Sequence, residues 1–161
     1  MKSECKYSLL EAKAKLEALC AYQERCQLEL RQKLNLWGLN EEDSDILISD
    51  LISNNFLDEE RFASAFVSGK FRIKKWGVIK IKSHLSQKRI SNYSIQKALK
   101  EIDRDEYWNT LVSLAIKKQK ELLKEKDPWQ KKVRVMRFLQ SKGYESDLIQ
   151  DAVKTVFSIE K

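Results

Sequence analysis

The sequence predicts an all-α protein of three tandem three-helix repeats, helix-turn-helix-like modules set in an elongated row. One observation is an internal repeat. Ile95-Gln96-Lys97-Ala98-Leu99-Lys100-Glu101-Ile102 returns as Ile149-Gln150-Asp151-Ala152-Val153-Lys154-Thr155-Val156, with four of eight positions identical. Ten residues upstream of each copy stands a leucine, Leu85 or Leu139, followed by a helix-ending stretch. A fainter copy has Leu34 followed by Asn35-Leu36-Trp37-Gly38-Leu39, so the equivalent leucines lie 51 and 54 residues apart. A period of that length marks tandem helical modules, each burying its open face against its neighbour. The other observation is punctuation: one proline and four glycines in 161 residues are too few for a many-stranded β fold. The expected modules are 1–57, 58–102 and 103–161.

Each element has its own justification. Leu9, Ala12, Leu16 and Leu19 step by three and four, predicting a helix from about Leu9 to Gln23. Leu30, Leu34 and Trp37 mark a second, stopped at Gly38, and Asn40 caps a third with Glu41, Glu42 and Asp43 at its positive end. Its apolar positions are read as Ile46, Leu47, Leu51 and Ile52. The second module opens at Asp58, with Phe62, Phe66 and Ile73 on one face. Val78, Ile81 and Leu85 define its next helix, and Ser91 or Asn92 begins the one carrying Ile95, Ala98, Leu99 and Ile102. The third module starts at Asp103 or Asp105 with Trp108, Leu111, Leu114 or Ala115, and Leu122. Asp127-Pro128 is a cap followed by an N1 proline. Val135, Phe138 and Leu139 face inward, Gly143 closes that helix, and residues 145–157 form the ninth.

Charge is uneven along the chain. Residues 1–58 carry seven basic and eleven acidic side chains (−4), residues 59–102 eleven and three (+8), and residues 103–161 thirteen and ten (+3). No Asp or Glu lies between Arg61 and Lys100, or from Pro128 to Tyr144. A lysine run on one helix is commonly just a solvated face. Two acid-free windows at equivalent places in successive repeats suit a polyanion crossing both, with counterion release on binding. The composition therefore favours a nucleic acid or nucleoprotein partner, while the acidic first module caps the row or meets a basic protein surface.

Catalysis finds no support in the residues. His84 is the one histidine, Cys5, Cys20 and Cys26 form no Cys-x-x-Cys pair, and Gly69 and Gly77 belong to no phosphate loop. No catalytic residue, metal site or cofactor is expected. With no signal-peptide region and no apolar run approaching the roughly 18 residues of a spanning helix, the chain reads as cytoplasmic, reduced and membrane-free. The four tryptophans lie near helix ends beside apolar neighbours, which suits packing between helices. Trp76, beside Lys74 and Lys75, is the one placed to touch a neighbouring module or a partner.

With these elements laid out, the chain resembles the RecX family of recombination regulators. Arg25-Cys26-Gln27-Leu28-Glu29-Leu30-Arg31-Gln32-Lys33-Leu34 is similar to that family's Arg-x-Ser-x-x-Glu-Leu-Arg-x-Lys-Leu element. Phe56-Leu57-Asp58-Glu59-Glu60-Arg61-Phe62-Ala63 with Phe66-Val67 resembles its Leu-Asp-Asp-x-x-Phe-Ala-x-x-Tyr-Val element. Trp76-Gly77, Ile81, Leu85 and Ile90 follow in the family's spacing, as do Ala115, Lys117-Lys118, Val135, Phe138-Leu139 and Gly143-Tyr144. Three departures matter, one being Gly69-Lys70 in place of a more arginine-typical stretch. Cys26 replaces a frequent serine, weakening a helix cap. Arg89 replaces a frequent glycine, so that turn needs a residue tolerating the left-handed region or a different cap.

The resemblance implies an all-α, non-enzymatic monomer that binds the RecA recombinase filament on DNA and inhibits its ATPase, coprotease and strand-exchange activities. Single- or double-stranded DNA would be met through phosphate contacts. The candidate contact residues are Lys70, Arg72, Lys74, Lys75, Trp76, Lys80, Lys82, Lys88, Arg89, Lys131, Arg134 and Arg137. Two other functions stay open at this point: a stand-alone DNA-binding helical protein, and a helical-repeat adaptor for another acidic protein.

Overall fold

The computed structural model describes residues 4–158, and among these nine α-helices form and no strand. They are α1 (Leu9–Tyr22), α2 (Gln27–Leu36), α3 (Glu41–Ser53), α4 (Glu59–Arg72), α5 (Val78–Gln87), α6 (Asn92–Leu99), α7 (Arg104–Glu121), α8 (Pro128–Lys142) and α9 (Ser146–Ser158). The all-α fold of helical repeats expected from the sequence is therefore present.

Local chemistry sets where these helices start. The first backbone N–H groups of a helix have no partner within it, and a side-chain oxygen just upstream supplies one. Asn40 Oδ1 accepts from the Asp43 N–H at 2.7 Å and Asp58 Oδ1 from the Arg61 N–H at 2.9 Å. Ser91 Oγ accepts from the Ser94 N–H at 3.3 Å, Asp103 from the Asp105 N–H at 3.1 Å, and Asp127 from the Trp129 N–H at 3.0 Å. The expected weak cap is also seen: Cys26 precedes α2 and makes no side-chain capping bond. Burial pushes the thiols of Cys20 and Cys26 up, which keeps them protonated and unreactive at neutral pH.

The repeat is written most clearly in how three helices end. Leu34, Leu85 and Leu139 are each fully buried. Four residues later, Gly38, Arg89 and Gly143 adopt φ of +81°, +60° and +95°. One residue further, the N–H groups of Leu39, Ile90 and Tyr144 return to the carbonyls of those three leucines at 3.1, 3.1 and 3.3 Å. This left-handed closure satisfies the helix's last carbonyls and turns the next residue inward. Leu39, Ile90 and Tyr144 are accordingly buried. The same closure also ends α3, where Asn55 has φ of +61° and the Phe56 N–H returns to the Leu51 carbonyl at 2.9 Å, so it occurs four times, with Gly38 and Gly143 at two of the left-handed positions and Asn55 and Arg89 at the others.

The chain forms two compact units. One runs through Phe66 and includes Leu85–Gln96, and the other comprises Val67–His84 and Lys97 onward. In the first unit, Ala12, Leu16, Leu30, Leu34, Leu47, Ile48 and Leu51 form the core, with Tyr7 and Trp37 packed against it. Tyr7 and Trp37 meet edge to face with ring centroids 5.3 Å apart. In the second unit α7, α8 and α9 pack pairwise. Leu111, Ala115, Val135, Leu139, Ile149 and Ala152 there are wholly shielded from solvent.

Two expected core faces are displaced. In α3 the buried positions are Ser44, Leu47, Ile48 and Leu51, whereas Ile46 and Ile52 are 57% and 45% exposed. The small polar Ser44 completes the inward stripe, so counting large apolar residues alone rotates the face. In α4 the stripe is Phe62, Ala63, Val67 and Phe71, while Ile73 follows the helix end and is 77% exposed.

Candidate partner-binding surface

The candidate surface is built around the start of α5, in the second unit. Gly77, Val78 and Ile79 offer three N–H groups there that the helix cannot use itself. The α8–α9 corner takes up two. Gly77 donates to the Lys142 carbonyl at 2.7 Å, and Ile79 donates to the Gly143 carbonyl at 2.9 Å. The third, from Val78, goes to the Tyr107 hydroxyl at 3.0 Å. That hydroxyl donates in turn to the Glu145 carboxylate.

Such close approach demands glycine on both sides. A Cβ on Gly77 would stand 2.4 Å from the Gly143 carbonyl oxygen, and one on Gly143 only 2.3 Å from Cβ of Lys80. The tyrosines complete the joint. Tyr144 donates from its hydroxyl to the Lys75 carbonyl at 3.0 Å, and its ring lies 5.1 Å from that of Tyr107. Burial pushes both phenols far above their ordinary pKa, with the Glu145 carboxylate reinforcing the shift. Both remain neutral hydrogen-bond donors at any physiological pH.

This joint fixes the loop between α4 and α5, and with it the basic side chains the sequence singles out. Lys70 from α4 and Lys80 from α5 place their ammonium groups 4.8 and 4.5 Å from the centroid of the Trp76 indole. The His84 ring sits 4.6 Å from the same indole. Cation–π contacts at partly exposed sites are each worth about 0.5–1 kcal/mol, enough to hold two like charges near one ring. A nucleobase stacking on Trp76 would have to displace one of these lysines. Lys80 also reaches the Ser141 carbonyl at 3.4 Å, and Lys142 reaches the Lys74 carbonyl at 3.3 Å. Lys118 and Lys142 both lie over Phe138, at 5.0 and 5.9 Å.

The candidate residues therefore divide. Lys70, Trp76 and Lys80 come together, with Lys74 and Lys75 tied in through their backbone carbonyls. Lys74, Lys75 and Lys82 expose their side chains. Arg72 is exposed and lies 3.9 Å from Glu106, a surface pair of little energetic weight. On α8, Arg134 pairs with Glu125 at 3.4 Å, Arg137 is exposed and Lys131 is half-buried. Lys88 and Arg89 belong to the first unit, where Lys88 pairs with Glu29 at 2.8 Å. Sequence reasoning missed His84, Lys118, Lys142 and Phe138 as members of the basic–aromatic cluster. Lys142 stood within an acid-free window, and Gly143 beside it marked the end of its helix, but neither signalled that this end meets another segment.

The surface thus offers several ammonium groups interleaved with aromatic rings, drawn largely from a sequence window without Asp or Glu, with Glu106 beside Arg72 and Glu121 beside Lys118 at its edge. Like charges so gathered favour binding of an anionic partner.

Comparison with known proteins adds a family. The model described as "RecX, second three-helix domain" matches residues 58–99, and that described as "RecX, third three-helix domain" matches residues 105–153. "Regulatory protein RecX" of Clostridium botulinum (strain Eklund 17B / Type B) is 36% identical over 137 residues, covering 84% of this chain. The chain spans 64% of the length of that relative. "Regulatory protein RecX" of Vibrio campbellii is 33% identical over 144 residues, 89% of this chain and 90% of the relative. The crystal structure of RecX from Lactobacillus salivarius aligns with a TM-score of 0.81 at 21% identity, covering 92% of this chain and 96% of that one, a likeness of fold.

Proposed function

Since the chain belongs to the RecX family of regulatory proteins, we propose that it regulates homologous recombination by binding the RecA filament on DNA and inhibiting its ATPase, coprotease and strand-exchange activities. It would act as a cytoplasmic monomer without a catalytic centre of its own, with 1–57, 58–102 and 103–161 as its three repeats. DNA repair and the SOS response are the processes it would restrain.

The observation that carries this reading is the cation cluster at the α4–α5 loop. Lys70 and Lys80 are held against Trp76, and Lys74 and Lys75 are presented on a backbone anchored by Lys142 and Tyr144. A filament carrying DNA offers phosphates and acidic protein side chains along one groove. A preorganised cation surface binds such a target with less ordering cost than free lysines would. Occupying the groove would hinder incoming duplex and subunit turnover together.

The test is co-sedimentation with RecA filaments formed on single-stranded DNA, comparing wild type with the variant Lys70→Glu/Arg72→Glu/Lys74→Glu/Lys75→Glu. Loss of co-sedimentation by the variant is expected, and a wild-type binding curve would refute the assigned surface. The same cluster would also suit DNA binding without RecA. Equal retention on naked DNA and on filaments, with a steep salt dependence, would favour that second reading.

A further inference from the structure

We propose that the first compact unit holds a cleft for an acidic peptide segment, with Arg25 and Arg89 as its carboxylate-binding residues. This goes beyond the filament-binding surface, which is assigned to the second unit, and needs neither RecA nor DNA.

The cleft has a volume of about 700 Å³ and lies among the start of α2, the end of α3, the start of α4 and the α5–α6 turn. Two cations of its lining suit an anion. The first is Arg25, whose Nε is shielded from solvent and has no hydrogen-bond partner among the described residues. A buried charged donor left unmatched is costly, and a carboxylate in the cleft would restore the missing bond in charge-assisted form.

The second is Arg89, which occupies the left-handed turn position that its repeat equivalents fill with Gly38 and Gly143. A side chain there works against the fold, since L-residues resist positive φ. Nothing in the turn requires it, for the closing bond from Ile90 to Leu85 is a backbone bond that glycine would make equally well. What the arginine adds is a guanidinium lining the cleft that also holds Arg25. Asn55 and Lys75 adopt the same left-handed backbone, and of these three Arg89 is the one that brings a cation to the cleft.

The other lining groups decide which anion fits. Lys88 is already matched by Glu29, and Arg31 by Asp45 at 2.7 Å. The lining also carries Asp58, Glu59 and Glu60, which repel a polyphosphate chain more strongly than a single carboxylate with apolar neighbours. Ile52 and Tyr93, 45% and 68% exposed, supply apolar surface for those neighbours. A peptide carrying one glutamate or aspartate between aliphatic residues meets both requirements, and nucleic acid meets neither.

The experiment is fluorescence anisotropy of the full chain with a fluorescein-labelled peptide in which a single glutamate is flanked by leucines. The parallel arms use the same peptide with glutamine for glutamate, and a labelled oligo-dT strand. The proposal expects saturable binding of the glutamate peptide, with affinity reduced roughly tenfold or more in Arg25→Gln, in Arg89→Gly and with the glutamine peptide. Arg89→Gly should keep or raise the urea midpoint, so its loss of binding cannot reflect misfolding. Absence of peptide binding, unchanged affinity in both variants, or equal binding of the glutamine peptide would each overturn the proposal. So would a loss of oligo-dT binding, instead of peptide binding, in the two variants. None of these readouts involves RecA, so failure here leaves the filament reading standing.

Discussion

Substituting alanine for glycine should have opposite effects at two positions eight residues apart. At Gly77 the new methyl would lie 2.4 Å from the Gly143 oxygen and 2.5 Å from both the Gly143 carbonyl carbon and the Tyr144 nitrogen. All three are backbone atoms, so no side chain can swing aside. Ordinary contact begins near 3.4 Å, and the two segments must separate by about 1 Å. That displacement stretches the Gly77–Lys142 and Ile79–Gly143 bonds, now 2.7 and 2.9 Å. Each contributes about 0.5–1.5 kcal/mol net, and a buried group left unpaired costs more. Gly77→Ala should therefore destabilise by about 2–4 kcal/mol. At Gly69, within α4, a Cβ meets nothing within 4 Å and φ is ordinary. There alanine should stabilise by about 0.5–1 kcal/mol, through its better helix propensity. Urea unfolding followed by far-UV circular dichroism measures both. A Gly77→Ala stability within about 0.5 kcal/mol of wild type, or a comparable loss at Gly69, would refute the interlocked-backbone account.

Three further outcomes are expected. Truncating the repeat leucines, as Leu85→Ala or Leu139→Ala, should cost about 2–5 kcal/mol each by urea titration, since both are fully buried; a loss below 1 kcal/mol, on the order of a surface change, would deny them a core role. Gln119 is buried with its Nε2 unpartnered, so Gln119→Met should be neutral or stabilise by about 1 kcal/mol, and a marked loss would mean the amide has a partner. The phenols of Tyr107 and Tyr144 have pKa values raised in the folded state, so the folded chain holds their protons more tightly than the unfolded chain does. Their contribution is complete below the ordinary tyrosine pKa of roughly 10 and is lost as pH climbs above it. Unfolding midpoints of wild type should fall above that pH more steeply than those of Tyr107→Phe/Tyr144→Phe, and parallel curves would contradict the assignment.

Much of the fold was legible because its signals are local. Caps at Asn40, Asp58, Ser91, Asp103 and Asp127 are side-chain chemistry within three residues, and the expected starts match. The repeat was legible too, since Leu34, Leu85 and Leu139 with their following turns share a spacing that survives divergence. At Arg89 the resemblance left open a left-handed residue or a different cap, and the backbone there is left-handed. What the sequence concealed is long-range. That Gly77 touches Gly143, or that the Tyr107 hydroxyl caps α5, depends on segments tens of residues apart, and nothing in the local pattern encodes it. Trp76 shows the same divide. Its basic neighbours Lys74 and Lys75 were visible, but the lysines on its ring are Lys70 and Lys80, brought there by the turn. The misread faces at Ile46, Ile52 and Ile73 have a simpler cause: residue size was taken for burial, and Ser44 was small enough to be overlooked.

The most direct test of the central claim is RecA ATP hydrolysis on single-stranded DNA, using RecA from the same organism, titrated with this protein at fixed salt. Loss of hydrolysis at substoichiometric protein is the predicted result. Hydrolysis unchanged even with the protein in excess over RecA would contradict it.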